Sequence, residues 1–338
     1  MLAAGKQQAN AVFPIIFYTP ETRMSLGGML IHFFEEQNDA NDGRVSNCKV
    51  TAIFTQNSQV ILQFAPEIYL KDTGYVVDFQ ANYLDYPAQF YGIGRDTPET
   101  DVENYTRKDP MFDAKIRKLI GGHYSAGIIY QYREFNVSDI KAGGLLDSKT
   151  ISGSTGGVSS AAGLQLMYDS RDNVFLPTRG AFCALTAGHA GKDFGGEFNY
   201  ERYILDCRRY YYLLRPNVLA LQFYFDMVNG AIPFQESPAI GGVNFMRGYY
   251  DGRFRDNCLA LFQAEYRVPV HRLISLTFFG GAADVESDIN EFRADRAKYS
   301  AGFGTRFSLN TEKKICVRTD IGFGENSSGF YVTMFEAF

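Results

Sequence analysis

The sequence predicts an all-β chain closed as a single 16-stranded antiparallel transmembrane β-barrel. Three observations carry that reading. Apolar and polar residues alternate with a period of two over many segments. The connections between those segments sort into short and long on alternate sides. No segment reaches the roughly 18 consecutive apolar residues of a membrane helix. Composition agrees: 338 residues, 46% hydrophobic, with 29 Phe, 22 Tyr, no Trp, 33 Gly and only 11 Pro. High Tyr, Phe and Gly suit strands and turns, and Tyr can supply the interfacial girdles that Trp usually shares.

The alternation is clearest towards the C-terminus. Ala260, Phe262, Ala264, Tyr266 and Val268 oppose Gln263, Glu265 and Arg267. Tyr299, Phe303, Phe307 and Leu309 oppose Gly302, Gly304 and Arg306, and Val317, Ile321 and Phe323 oppose Arg318 and Asp320. Leu219, Phe223 and Met227 oppose Gln222, Tyr224 and Asp226. Each row has an apolar face for lipid and a face of charge and glycine for the lumen. Counted back from the C-terminus, strands are expected at 330–338, 315–324, 299–309, 273–283, 258–268, 217–228, 198–212, 179–188, 160–168, 123–135, 111–119, 88–94, 74–84, 59–69, 47–55 and 24–34. The short connections are 310–314, 269–272, 213–216, 85–87 and 56–58; the long ones are 284–298, 229–257, 136–159, 95–110 and 35–46. An even strand number with turns at one end and loops at the other marks a membrane barrel.

This organisation leaves one domain, a barrel over 24–338, with a long extracellular loop at 229–257 and a periplasmic lead over 1–23. The Gly- and Ser-rich stretch 136–157 is the segment expected to be most mobile. Residues 1–10 lack an apolar core of signal-peptide length, so a signal removed before residue 1 is the reading adopted. A net charge of -5 argues against nucleic acid as a partner. Five cysteines fall singly, an odd number without metal-ligand spacing, and read as isolated small residues on strands. The four histidines are scattered, and no nucleophile or zinc motif occurs, so neither an enzyme nor a metal or cofactor is expected.

One stretch does not fit a plain surface loop. Gly241-Gly242-Val243-Asn244-Phe245-Met246-Arg247-Gly248-Tyr249-Tyr250 places one Arg among large apolar residues. If packed, Arg247 requires an acidic partner. The inner-wall candidates are Glu265, then Asp320, then Asp226.

Several stretches taken together resemble the barrel of the outer-membrane-protein-85 superfamily, which includes BamA- and TamA-like proteins and the bacterial surface antigens. They are Tyr18-Thr19-Pro20-Glu21-Thr22, Tyr91-Gly92-Ile93-Gly94, the turn motif Asp169, Arg171, Asp172, Pro177 and Gly180, the loop motif Gly241, Gly242, Met246, Arg247, Gly248 and Tyr249, Glu265-Tyr266-Arg267, and the terminal Phe338. The resemblance implies a bacterial outer-membrane protein whose sixth loop docks in the lumen through Arg247. It implies a weak lateral seam between first and last strands, carried here by Gly27, Gly28 and Phe338. Where related chains carry an acidic residue after the Glu-Tyr-Arg segment, this one has Phe278-Phe279-Gly280-Gly281. No periplasmic POTRA repeat is seen before the barrel. The function implied is assistance to insertion, assembly or translocation of outer-membrane or secreted proteins. The partners implied are lipopolysaccharide outside, phospholipid inside, unfolded outer-membrane protein clients, and a separate periplasmic protein. A passive pore and an anchor subunit for that periplasmic protein are the alternatives.

Overall fold

The computed structural model describes residues 9–34, 46–70, 73–214, 216–310 and 315–338. Its strands are β1 (Ala9–Thr19), β2 (Arg23–Phe33), β3 (Asn47–Thr55), β4 (Val60–Leu70), β5 (Tyr75–Phe90), β6 (Glu103–Leu119), β7 (Tyr124–Ser138), β8 (Gly157–Asp169), β9 (Gly180–Ala190), β10 (Tyr200–Leu214), β11 (Asn217–Gly230), β12 (Ala239–Ile240), β13 (Phe254–Arg255), β14 (Cys258–His271), β15 (Ile274–Glu286), β16 (Lys298–Asn310), β17 (Ile315–Gly324) and β18 (Ser327–Met334). All but β12 and β13 form one closed antiparallel barrel, in which β11 pairs β14 and β18 returns to β1. β12 and β13 pair with each other inside the long loop that joins β11 to β14.

Sixteen strands form the ring, but not the sixteen the alternation suggests. The run 9–19 is the first strand rather than a lead, paired along its length with β2. Its inner face is apolar too, and Pro14 interrupts it, so no alternation shows. The segment 74–84 and the start of 88–94 belong to one strand, β5, which ends at Phe90; the supposed turn 85–87 lies within it, and 91–94 fall in the loop that follows. Pro87 is tolerated because β4 has ended, its last pair with β5 being Val60↔Asp85, so one side of the ladder is free there. For a similar reason β6 begins at Glu103 and passes through Pro110, where its pairing with β7 is interrupted.

The sorting of connections changes accordingly. The end that carries the long loop 231–257 also carries 91–102, 139–156, 191–199 and 287–297. It carries short turns too, at 20–22, 56–59 and 325–326. The loop 35–46 joins β2 to β3 at the opposite end, and residues 35–45 lie outside the described residues, as do 311–314. The stretch 136–157, expected to be mobile, is ordered: its ends belong to β7 and β8, and the loop 139–156 between them is folded. Glu103 accepts the amides of Leu145 (2.5 Å) and Leu146 (3.2 Å), and Leu146 is buried with Phe90, Tyr105 and Phe234.

Lipid-facing positions follow the expected parity: Phe262, Phe278, Phe303, Phe307 and Phe323 are exposed, while Gln263, Glu265, Arg306 and Asp320 are buried inside. Two cysteines are not isolated. Cys183 and Cys207 oppose each other in register on β9 and β10 and form a disulfide; Cys48, Cys258 and Cys316 are free.

Candidate functional site: a loop docked in the lumen

The loop 231–257 turns inward, and its apolar residues make a core within the barrel. Ile240, Met246, Tyr249 and Phe254 pack against Leu259, Leu261, Ala283 and Val285 on β14 and β15. Phe245 lies beside Tyr224, ring centroids 4.6 Å apart. Burying these side chains supplies the drive to fold inward; Arg247 fixes the place.

Arg247 bridges two of its three candidate partners. Its guanidinium donates to Glu265 on β14 through one nitrogen and to Asp320 on β17 through another. All three side chains are essentially inaccessible to solvent. Asp226 is engaged elsewhere, accepting from Arg202 at 2.9 and 2.7 Å. The face of the guanidinium lies over the Phe279 ring, 3.6 Å from its centroid. That explains the apolar Phe278–Gly281 segment. Phe279 takes the cation's face, and Gly281 leaves room for Met246, whose sulfur would stand 2.9 Å from a Cβ at that position.

The pair sits in a wider network. Glu265 also accepts from Arg267 at 3.0 and 2.8 Å, and Asp320 accepts from Arg306 at 2.6 Å. Arg318 contacts Asp320 at 3.4 Å and donates to Thr333 at 2.9 Å. Glu336, in the tail beyond β18, binds Arg306 at 2.7 Å and approaches Arg267 at 3.7 Å. Four guanidinium groups thus share three carboxylates in a dry interior, where a fork of parallel N–H donors is worth most. The chemistry available here is ion pairing that fixes position. Among the described residues no group of three His, Cys, Asp or Glu could hold a metal ion.

The loop backbone also lies directly on the wall. Gly248 has φ +115°, and a Cβ there would stand 2.6 Å from the carbonyl carbon of Phe323 on β17. Its amide donates to the Tyr331 hydroxyl of β18 at 3.0 Å. Further along, the Asp251 amide donates to Glu21 in the β1–β2 turn at 2.9 Å. Burial, and secondly the charge on Asp251, hold the Glu21 carboxyl above its ordinary range. Neither Glu21 nor Tyr331 is marked by sequence pattern as a loop contact; only the register of the closed ring brings them together.

The seam residues named from the sequence lie elsewhere. Gly27 and Gly28 are in β2, paired on one side with Ile15 and Pro14 and on the other with Ile53 and Ala52. Phe338 is not on the lipid face. β18 ends at Met334, Phe335 takes φ 63°, and the tail turns inward so that Ala337 and Phe338 pack against Tyr210 and Ala220. The ring closes where β1 meets β18, and among the described residues one position pairs there, Tyr18↔Val332.

The turn motif between β8 and β9 builds its own turn. Asp169 binds Arg171 at 2.9 and 2.7 Å, and Asp172 accepts the Thr178 amide at 2.9 Å. The turn then crosses the mouth: Pro177 accepts from Arg267 at 3.3 Å, and Phe175 stacks on Phe335 with centroids 4.9 Å apart. Among the described residues, two cavities lie in the lumen. One of about 380 Å³ lies beside the docked loop, lined by residues including Arg107, Arg202, Asp226 and Asp251. The other, about 390 Å³ and lined by residues including Lys49, Asp78, Lys115 and Arg117, lies towards the opposite end.

A single closed barrel with an ion-paired internal loop defines the class, an outer-membrane-type barrel. The Omp85 superfamily domain matches residues 43–312, and the chain belongs to that superfamily. Its fold is similar to BamA from Haemophilus ducreyi lacking POTRA domains 1–3, with a TM-score of 0.68 at 13% identity over 97% of this chain and 71% of that one. It is similar also to CdiB from Acinetobacter baumannii (0.62, 12%, 98% and 60%) and CdiB from Escherichia coli (0.61, 11%, 96% and 63%). The chain thus spans less than two thirds of the two CdiB chains. No curated protein matches the sequence. Family and fold together point to the bacterial outer membrane.

Proposed function

We propose that this barrel assists the insertion, assembly or translocation of outer-membrane or secreted proteins through the seam between β1 and β18. The observation that carries the reading is the closure, among the described residues, at one paired position, Tyr18↔Val332, in a ring whose other neighbours pair over most of their length. A strand edge held so lightly can accept another strand, because unpaired N–H and C=O groups template pairing. Pro14 supports this: a proline in β1 is acceptable where the ladder towards β18 is empty. Clients would be unfolded outer-membrane or secreted chains. The loop-bearing end would face outward beside lipopolysaccharide, and the tail end would face the periplasm, phospholipid and a separate periplasmic protein.

The purified barrel in liposomes, given an unfolded small outer-membrane protein, tests this. A Tyr18→Cys/Val332→Cys variant places two thiols at opposed positions where a bridge can form. Oxidation is expected to abolish the acceleration of insertion, and reductant to restore it. Equal acceleration by the locked and reduced forms would sink the seam mechanism. The charged cavities favour one second reading, a passive pore; steady ion conductance by the wild-type barrel in a planar bilayer, with no acceleration of insertion, would select it.

A further inference from the structure

We propose that five consecutive residues of the docked loop, Arg247 to Asp251, clasp the β1–β18 seam from inside, with Tyr331 and Glu21 as the positioning residues on its two sides. The inference rests on the reading of that seam as the working part of the barrel, and it says what keeps the seam shut at rest.

The contacts are ordered along the chain. Arg247 is held by Asp320 on β17, the neighbour of the last strand. The next residue, Gly248, donates its amide to Tyr331 on β18 at 3.0 Å, and the Tyr331 hydroxyl donates on to the Tyr249 carbonyl at 3.4 Å. The Tyr249 hydroxyl accepts the Glu325 amide at 2.9 Å in the β17–β18 turn and donates to the Tyr299 carbonyl at 2.9 Å. Two residues later the chain has crossed the seam. The Asp251 amide there donates to Glu21 at 2.9 Å, in the turn that ends β1. Glu21 is in turn fixed, since its carbonyl accepts from Asn57 at 2.7 Å and from Gln59 at 3.1 Å.

The short turns 20–22 and 325–326 make this reach possible, because neither flanking hairpin carries a long loop in the way. The clasp lies level with the one paired position: Val332 is adjacent to Tyr331, and Tyr18 lies three residues before Glu21. At a closure with one paired position, a few hydrogen bonds from the loop are a large share of what holds the two strands together. A buried Arg with two carboxylates anchors the loop independently of them. Tyr331 and Glu21 can therefore be altered without removing that anchor.

The test is a distance across the seam in lipid nanodiscs. Spin labels go on Ile16→Cys and Phe330→Cys, both exposed on the lipid face, in a chain whose five native cysteines are replaced by Ala. The Glu21→Ala/Tyr331→Phe variant removes three hydrogen bonds and is expected to raise the ratio of wide to narrow separations about tenfold, the size that three weak hydrogen bonds give. The loop should stay protected from trypsin. Replacing Glu21→Ala by Glu21→Gln keeps an oxygen for the Asp251 amide and should move the distribution back. An unchanged distribution would overturn the clasp. So would loss of loop protection, which would mean that these contacts hold the loop and not the seam, or failure of Glu21→Gln to reverse the shift. Widening with an unaltered rate of client insertion would leave the clasp standing and remove the insertion reading instead.

Discussion

Arg247 is one residue, yet it joins walls that are not neighbours, since Glu265 is on β14 and Asp320 on β17. Its loss removes the two charge-assisted hydrogen bonds that tie the loop to the wall, while Arg267 and Arg306 still pair with Glu265 and Asp320. Arg247→Ala should cost about 3–5 kcal/mol of barrel stability, as two charge-assisted bonds at roughly 1.5–3 kcal/mol each imply. It should also expose the loop to trypsin. The readouts are the temperature at which the folded band disappears in a gel and the rate of cleavage within 231–257. Arg247→Lys should recover little, because one ammonium cannot reproduce a fork to two carboxylates and a face over Phe279. Full protection in Arg247→Ala would show that the apolar core alone docks the loop. The sequence already marks Arg247 as needing an acid, because an Arg among Phe, Met and Tyr has few other ways to be satisfied. It does not reveal that two acids share it, since that depends on which inner-wall positions the closed ring brings level.

A second residue-scale effect concerns pH. Glu21 is raised by burial first and by Asp251 second, against hydrogen bonds from Thr19 and the Asp251 amide. Asp251 is also raised, by its depth in the barrel, against the pull of Arg255 and Arg107. Its side chain is exposed to the lumen cavity that it lines. Both raised values mean that the docked loop binds protons more tightly than a released one. Docking is therefore expected to strengthen as pH falls from neutral towards the ordinary carboxylate range, and to weaken as pH rises through the raised values. Hydrogen exchange at the Gly248 and Asp251 amides, corrected for intrinsic rate, measures it. Asp251→Asn should flatten the dependence; a loop that loosens on mild acidification would contradict this account.

At the scale of elements, the docked loop depends on two places where its chain approaches the wall. Gly248 has a left-handed φ and lies 2.6 Å, measured from a built Cβ, from the β17 backbone. Gly281 faces Met246 at 2.9 Å by the same measure, while its neighbour Gly280 points to the lipid side with nothing nearer than 3.5 Å. Gly248→Ala and Gly281→Leu are expected to undock the loop, and Gly280→Ala to be silent, by the same trypsin assay. If Gly280→Ala proved as harmful as Gly281→Leu, lumen crowding would not be the cause. The elements themselves were legible wherever one face meets lipid and the other water, since that demand imposes a period of two. The pattern is lost where this demand fails or proline intrudes. β1 is apolar on both faces and carries Pro14. β5 and β6 pass through Pro87 and Pro110 at points where the neighbouring ladder is already open. One strand without alternation, β1, and one divided in pattern by Pro87, β5, leave the expected number at sixteen. The Cys183–Cys207 bridge was hidden for a related reason: cross-strand opposition is a property of register, which single-strand patterns do not fix.

For the whole molecule, the tail end is closed by a strap that no local pattern announces. The turn 170–179 leaves β8, which lies eight places from β18 around the ring, on the opposite wall. It meets the inturned tail where Phe175 stacks on Phe335, 4.9 Å between centroids and 29° between planes. Arg267 ties the two together, donating to the carbonyls of Pro177 and Phe338 at 3.3 and 3.2 Å. A contact between opposite walls resists flattening of the whole ring, whereas a contact within one hairpin would stabilise only that hairpin. A double-mutant cycle separates the cases. Phe175→Ala and Phe335→Ala, alone and combined, should show a coupling of about 0.5–1.5 kcal/mol in reversible urea unfolding in liposomes, as stacked aromatic pairs do. The coupling should persist when the loop is released by Arg247→Ala, because the strap closes the other end of the lumen. A coupling near zero would mean that the two rings merely lie side by side. A coupling that vanished with Arg247→Ala would mean that both ends are held by one shared network through Glu265, Arg267 and Glu336.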